Sequence, residues 1–119
     1  MGLYKTALQN LVAANRLLQP KKWIKNELAQ NCRGYECSPR NPKAHAFCAL
    51  GAVRHINGPG EIKAVKILRQ AARLEILARN SDAKKFGYGD SPIFTVNDKI
   101  GFAAVKSMFR RAIKLAKSV

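Results

Sequence analysis

Three cysteines and one histidine lie close enough in the sequence to form a metal site. Cys32, Cys37, His45 and Cys48 are spaced C-x4-C-x7-H-x2-C, and thiolates with imidazole are ligands that zinc prefers. The C-x2-C pair of common zinc knuckles is not part of this spacing. We therefore expect three free thiols and no cofactor, with a zinc site on these four residues as the alternative.

Cys48 could also act as a nucleophile, which would make the protein an enzyme. A reactive thiolate needs a nearby base or a positively charged environment. If the surrounding segment is helical, His55 lies two turns from Cys48, roughly 10 Å along the axis. His45 lies in the opening turn of that helix, where it faces solvent. Neither imidazole is placed to deprotonate the thiol, so we expect no catalytic residue and no enzyme.

The segment around Cys48, AHAFCALGAVRH at residues 44–55, is apolar around almost its whole circumference. A helix of this composition is buried, and a strip of small residues lets neighbouring elements approach closely. Gly51 costs a helix about 1 kcal/mol relative to alanine, a cost that close packing could offset. We therefore interpret Cys48 as a small core residue of a buried helix.

Positive charge is the strongest signal in the composition. The chain has 22 Lys and Arg residues against 7 Asp and Glu, a net charge of +15 over 119 residues. Such an excess produces a positive potential that attracts polyanions in a salt-dependent way. The partner that we expect is nucleic acid, DNA or RNA. The alternatives are an acidic protein surface, or no charged partner at all.

The cations are concentrated on one face of two predicted helices, 61–78 and 98–117. Few carboxylates lie among them to form the usual i,i+4 pairs, which favours an external polyanion, and each phosphate contact would add about one unit to the salt dependence of binding. No motif for reading bases is visible. The predicted phosphate-binding residues are Lys63, Lys66, Arg69, Arg73, Lys106, Arg110, Arg111, Lys114 and Lys117.

Apolar periodicity and turn residues predict an all-α fold, a single compact domain over residues 1–119 with about five helices and two structured loops. The loops are 31–42 and 79–96, and the second contains a brief extended piece at IFTV, 93–96. The predicted helices are 3–18, 21–30, 43–56, 61–78 and 98–117.

Three further residues receive structural roles. Trp23 is the only tryptophan, and we expect it to anchor the core, although its lysine neighbours would also allow stacking on a base. Asn97 suits the N-cap of the last helix, and Asp98 suits its first turn, where the helix dipole favours negative charge.

No apolar run approaches the ~18 residues of a membrane span. We expect no membrane contact and a cytoplasmic location.

These landmarks resemble a family. Trp23, SPRNPKAHAFCALGAV at 38–53, FTVND at 94–98 and FRRAIKLAK at 109–117 are similar to an uncharacterised domain-of-unknown-function family of short helical proteins, common in phage and actinobacterial genomes. The matching pattern is Trp, then Cys-x-x-Gly-Ala, then Asn-Asp. The lysine richness, Cys32 and Cys37 depart from it.

The resemblance implies no reaction, but it implies a phage or mobile-element setting. In that setting, small proteins bind nucleic acid or host machinery in the host cytoplasm. We therefore expect a small, basic, non-enzymatic protein that binds nucleic acid through phosphate contacts. The alternative is an inhibitor or modulator of an acidic site on a host protein, such as a defence nuclease or a polymerase. The oligomeric state stays open.

Overall fold

The structure is a computed structural model that describes residues 5–79 and 91–118. These residues form five α-helices and one antiparallel two-stranded sheet, so the protein is mostly helical. A 3-10 helical turn, Pro20–Lys22, follows the first helix, and a π-helical turn, Val96–Ile100, precedes the last. The helices are α1 (Ala7–Leu17), α2 (Ala49–Ile56), α3 (Glu61–Ala78), α4 (Ser91–Thr95) and α5 (Phe102–Lys117), and the strands are β1 (Ala29–Asn31) and β2 (Ala44–Phe47).

The three long helices follow the apolar periodicity of the sequence. α3 has the predicted bounds, whereas α1 begins at Ala7 because Thr6 caps it. The Thr6 hydroxyl accepts a hydrogen bond from the Gln9 N–H at 3.1 Å, and the Gln9 side chain accepts one from the Thr6 N–H at 3.2 Å. This capping box satisfies two backbone donors that would otherwise have no partner.

The core lies between α1, α3 and α5, with α2 packed against α1 and α3. Its largest enclosed side chains come from all of these helices and include Leu11, Leu50, Leu68, Met108 and Phe109, each at most 2% exposed. The start of α3 and the end of α5 line the same hollow, which shows that the two helices run antiparallel. At the other end of α3, Glu75 bonds Ser107 and Arg111 of α5.

The all-α prediction is wrong, because residues 44–47 form a strand and not the start of a helix. β2 pairs with β1 in the register Ala29↔Phe47 and Gln30↔Ala46. The Phe47 carbonyl also accepts a hydrogen bond from the Ile24 N–H at 3.1 Å. The apolar run at 44–55 is therefore buried as a strand followed by a helix, which periodicity alone does not distinguish from one buried helix.

The predicted helix at 21–30 is also wrong. Only Pro20–Lys22 makes a helical turn, and the chain then extends into β1. Asn26 adopts a φ of 68°, in the left-handed region that interrupts a right-handed helix. This turn places Trp23 and Asn26 beside the segment that precedes α5, as described below.

The prediction for residues 93–117 is wrong in two places: IFTV, 93–96, is not extended, and the last helix does not begin at residue 98. Residues 91–95 are helical and not extended, the π-helical turn covers 96–100, and α5 begins at Phe102 with Gly101 as its N-cap. Asn97 therefore does not cap α5. Residues 80–90 of the predicted second loop, and residues 3–4 of the predicted first helix, lie outside the described residues. No helix in the described ranges is long and apolar enough to cross a membrane.

Candidate nucleic-acid interface

The predicted row of cations on α3 is largely exposed. Lys63, Lys66 and Arg73 point to solvent, whereas Arg69 is half-buried at the edge of the helix. Lys66 and Arg73 are seven residues apart, so they lie on one face at roughly 10 Å along the axis. α3 thus contributes three exposed cations to this surface.

The row on α5 divides into a centre and two margins. Arg110, Lys114 and Lys117 form the exposed centre, and they follow one another at i, i+4 and i+7, the spacing of one helix face. Lys106 and Arg111 lie on the two margins, and both are half-buried. Each of them reaches a different neighbouring helix, so the five predicted residues do not share one environment.

Lys106 binds the end of α1. Its Nζ donates hydrogen bonds to the carbonyl oxygens of Asn15, at 2.7 Å, and Leu18, at 3.2 Å. A cation at a helix C-terminus satisfies carbonyls that have no partner within the helix and interacts favourably with its dipole. Burial, with a smaller contribution from the Arg110 charge, lowers the pKa of Lys106. This side chain ties α5 to α1 and is not directed at a ligand.

Arg111 binds Glu75 across the α3–α5 contact. Its Nε lies 2.7 Å from one carboxylate oxygen, which also accepts a hydrogen bond from the Ser107 hydroxyl at 2.9 Å. Arg79 binds the other oxygen at 2.8 Å. Burial opposes ionisation of Glu75, but these three donors outweigh it and lower the pKa of the carboxyl group. Arg111 therefore completes an ion-pair network around the buried Glu75 carboxylate.

The antiparallel packing brings the two basic rows together at one end of the helices. Lys63 of α3 and Lys117 of α5 line one hollow of about 590 Å³, and Lys5 lines it too. A Cβ on Gly60 would lie 2.3 Å from the Thr6 carbonyl carbon, so the start of α3 touches the start of α1. Sequence reasoning missed Lys5, because its approach to Lys63 and Lys117 depends on this tertiary contact.

The acidic residues of α3 are removed from this surface. Glu61 is 6% exposed and Glu75 is 2% exposed, and α5 contains no acidic residue. The Glu61 carboxylate binds Arg40 at 2.6 Å and Arg54 at 3.4 Å. We call the six exposed cations of these helices the α3–α5 face: Lys63, Lys66, Arg73, Arg110, Lys114 and Lys117.

Cys48 is buried, as expected for a core residue. It is 1% exposed and is the N-cap of α2, where its sulfur accepts a hydrogen bond from the Gly51 N–H at 3.4 Å. Burial raises the pKa of the thiol to about 11, so the group stays protonated at neutral pH. His55 packs its ring against Phe47, with centroids 4.6 Å apart. Its Nδ1 lies 2.7 Å from the Pro39 carbonyl oxygen.

The geometry does not support the alternative of a zinc site on Cys32, Cys37, His45 and Cys48. Cys32 is exposed, Cys37 is half-buried, and His45 is exposed on β2. Within the described parts of the chain, no group of three or more His, Cys, Asp or Glu side chains is close enough to hold a metal ion.

Three of the residues behind the family resemblance, Trp23, Asn97 and Asp98, meet at the buried side chain of Asn97. The Asn97 side-chain oxygen accepts hydrogen bonds from the Trp23 Nε1–H at 2.7 Å and from the Ala49 N–H at 2.9 Å. Its Nδ2 donates to the Ile24 carbonyl at 3.0 Å and to Asp98 at 2.8 Å. We call this cluster the Asn97 junction: Trp23, Ile24, Ala49, Asn97 and Asp98.

The junction joins three separate segments. Asp98 also accepts a hydrogen bond from the Asn26 N–H at 3.0 Å, and the Trp23 ring lies 5.4 Å from that of Phe102. A Cβ on Gly51 would lie 1.8 Å from the Leu28 carbonyl oxygen, so only glycine permits this approach of the β1 segment to α2. The motif residues therefore hold the fold together.

Comparison with known proteins identifies the family of the chain. Residues 4–115 match the model of the family described as Family of unknown function (DUF6197). The chain belongs to DUF6197. No curated protein and no solved structure matches it. Membership of DUF6197 assigns no reaction, ligand or partner to the chain, so its function must be argued from its surface.

Proposed function

We propose that this DUF6197 protein is a small, non-enzymatic protein of phage or mobile-element origin that binds nucleic acid through phosphate contacts. The contacts are made by the α3–α5 face. The observation that supports this is the sorting of charge on the two helices: both carboxylates of α3 are buried and paired, whereas six cations are exposed. A surface of one sign attracts a polyanion, and no carboxylate among residues 5–79 and 91–118 forms an ion pair with these six cations.

The spacing of the cations suits a phosphate backbone better than base edges. Lys66 and Arg73 on α3 are separated by two helical turns, and so are Arg110 and Lys117 on α5, which corresponds to about 10 Å along each axis. The long, flexible side chains of such rows can reach several phosphates of a backbone. Phosphate contacts position a protein but contain no sequence information, so we expect binding without base preference. Lys106, Arg111 and Arg69 are left out of the proposed face because they are half-buried.

The experiment is a binding titration with random-sequence duplex DNA and with RNA at about 50 mM salt. The triple variant Lys66→Gln, Arg110→Gln, Lys114→Gln removes three exposed cations of the face, and we expect its affinity to fall at least about 100-fold. The matched control, Arg33→Gln, Lys43→Gln, Lys99→Gln, removes the same charge from exposed positions outside α3 and α5. It should lose less than about tenfold. Equal losses in the two variants, or no binding by the parent protein, would exclude the proposal.

One observation favours an acidic host protein as a second candidate partner. α3 exposes large apolar side chains among its cations: Ile62 is 73% exposed, Leu77 is 58% exposed and Leu74 is 38% exposed. Phosphate groups gain nothing from contact with apolar side chains, whereas protein interfaces bury such side chains. Replacement of Ile62 and Leu77 by Gln separates the candidates, because it leaves phosphate binding unchanged but weakens a protein complex.

A further inference from the structure

A groove runs along the outer side of α1 and shares one lining residue, Leu8, with the hollow that Lys63 and Lys117 line. It has a volume of about 1160 Å³ and lies between α1, the Pro20–Lys22 turn and the end of α2. Its floor is apolar and is formed by Leu8, Val12, Ala13, Leu17 and Ile56. All five side chains are half-buried, and only Gln9 and Arg16 of α1 are exposed. The outer side of this helix therefore lacks the polar surface that solvent would favour.

The rim of the groove is positively charged. Arg16, Lys21 and Lys22 line it, and no Asp or Glu occurs in the first 26 residues of the chain. An occupant with carboxylates beside its apolar surface would match both the floor and the rim. A second copy of the chain would not, because each copy has a net charge of +15 and would bring further cations to the same rim.

The walls of the groove restrict the conformation of the occupant. They consist of side chains from α1 and α2 and of the segment Gln19–Lys22, in which Pro20 has no N–H to donate. Neither β1 nor β2 lines the groove, so an extended peptide would find no described strand edge to pair with. A buried backbone must satisfy its own hydrogen bonds, and a helix does so internally. This is the helix-in-groove mode of recognition.

We propose that the α1 groove binds an acidic amphipathic helix of a partner protein. The partner helix presents apolar residues at i, i+3, i+4 and i+7 to the floor, and Asp or Glu on its flanks to Arg16, Lys21 and Lys22. The floor extends from Leu8 to Leu17, about 14 Å along α1, so it accommodates two to three turns. This surface shares no cation with the α3–α5 face, and the proposed helix binding does not depend on nucleic-acid binding.

The test uses the full chain, labelled with ¹⁵N, and two synthetic helical peptides of about 14 residues. Both have leucine at i, i+3, i+4 and i+7, and one has glutamate flanks whereas the other has lysine flanks. We expect the glutamate peptide to bind with micromolar affinity and to shift the amide resonances of residues 8–22 and 56. The lysine peptide should bind at least about tenfold more weakly.

Two groove variants sharpen the test. Ala13→Glu places a carboxylate in the floor on a residue that tolerates a helix-forming side chain, and it should weaken the glutamate peptide at least about tenfold. Arg16→Glu with Lys21→Glu changes only exposed positions, keeps the fold, and should reverse the preference toward the lysine peptide. The matched control, Arg110→Glu with Lys114→Glu on the α3–α5 face, should change peptide affinity less than about threefold.

Four outcomes would overturn the proposal. They are no binding of the glutamate peptide at about 1 mM, equal binding of both peptides, resonance shifts confined to α3 and α5, or an unchanged peptide preference in the Arg16→Glu, Lys21→Glu variant. The groove resonances could also shift with vesicles of anionic phosphatidylglycerol and not with the peptide. That result would overturn the proposal too, because the occupant of the groove would then be a lipid surface.

Discussion

The Asn97 junction and the α3–α5 face are both rich in polar groups, but they differ in where their hydrogen bonds go. At the junction, both polar atoms of the Asn97 side chain bind groups of the protein, and the residue is 0% exposed. On the α3–α5 face, six cations are directed at solvent while the nearby carboxylates are buried with other partners. Polar groups that bond within the protein stabilise the fold, whereas polar groups exposed to solvent are available to a ligand.

The same difference occurs within α5. Lys106 and Arg110 are four residues apart, and both belong to the basic side of the helix. Lys106 binds the carbonyls of Asn15 and Leu18, whereas Arg110 is exposed. Residue type and helical position therefore do not separate a structural cation from a binding cation. What separates them is whether the side chain binds a neighbouring helix.

The largest expected effect is at the close contact beside the junction. Gly51→Ala places a Cβ 1.8 Å from the Leu28 carbonyl oxygen, so the β1 segment must move away from α2. We expect a loss of about 3–5 kcal/mol in the free energy of unfolding, measured by urea denaturation. Gly34→Ala is the control. Gly34 has a φ of +83° but open space around it, so it should lose only about 1 kcal/mol. Comparable losses would contradict the packing described here.

The next largest effect is expected at Asn97. Asn97→Ala leaves the Ala49 N–H and the Trp23 Nε1–H without their acceptor, and unsatisfied buried donors are costly. We expect a loss of about 3 kcal/mol and a shift in the fluorescence of the single tryptophan. Asn41→Ala, which removes one turn hydrogen bond to Lys43, should cost about 1 kcal/mol or less. An unchanged Trp23 emission in the Asn97 variant would mean that the junction does not hold the indole.

Glu75 supplies a pH-dependent contribution. Its folded pKa is lowered, so its stabilising effect is present above the unfolded value near 4.5 and is lost as pH falls through the folded value. Arg79 and Arg111 are each about 40% exposed, and solvent screens part of their attraction. We expect Glu75→Gln to cost about 2 kcal/mol at pH 7.

The same variant should lose less stability on acidification below pH 4.5 than the parent protein does. Urea unfolding at pH 7 and in the acid range measures both effects. Parallel pH profiles for the two proteins would contradict the ion-pair network.

The smallest effect separates the two cations of α5. Lys106→Met removes the hydrogen bonds to the end of α1 and should cost about 1 kcal/mol of stability, while affinity for DNA stays within about twofold. Arg110→Gln should do the reverse, with stability within about 0.5 kcal/mol and affinity lowered about tenfold. If both variants weakened DNA binding equally, Lys106 would belong to the binding surface.

The sequence predicts those parts of the fold whose periodicity is local. In residues 61–78 the apolar side chains recur at helical spacing, and α3 has those bounds. The segment 44–55 misled the prediction, because a continuous apolar run suits a buried strand as well as a buried helix. Its division at Cys48 depends on pairing with β1, which local pattern does not encode.

The candidate site could be predicted only in outline. The two basic rows are visible in the sequence, and so is the shortage of carboxylates among them. The burial of Glu61 and Glu75 depends on Arg40 and Arg111, which are distant in the sequence. The approach of Lys5 and the α1 groove also depend on tertiary packing, since the groove needs Ile56 and Pro20 beside α1.

The salt dependence of nucleic-acid binding tests the central claim most directly. For duplex DNA, the logarithm of the binding constant plotted against the logarithm of salt concentration should have a slope of about −3 to −5, since each phosphate contact contributes about −0.9. The Lys66→Gln, Arg110→Gln, Lys114→Gln variant should lower the magnitude of that slope by about 2–3 units, and the Arg33→Gln, Lys43→Gln, Lys99→Gln control by less than about 1. A slope that is the same in all three proteins would contradict the account.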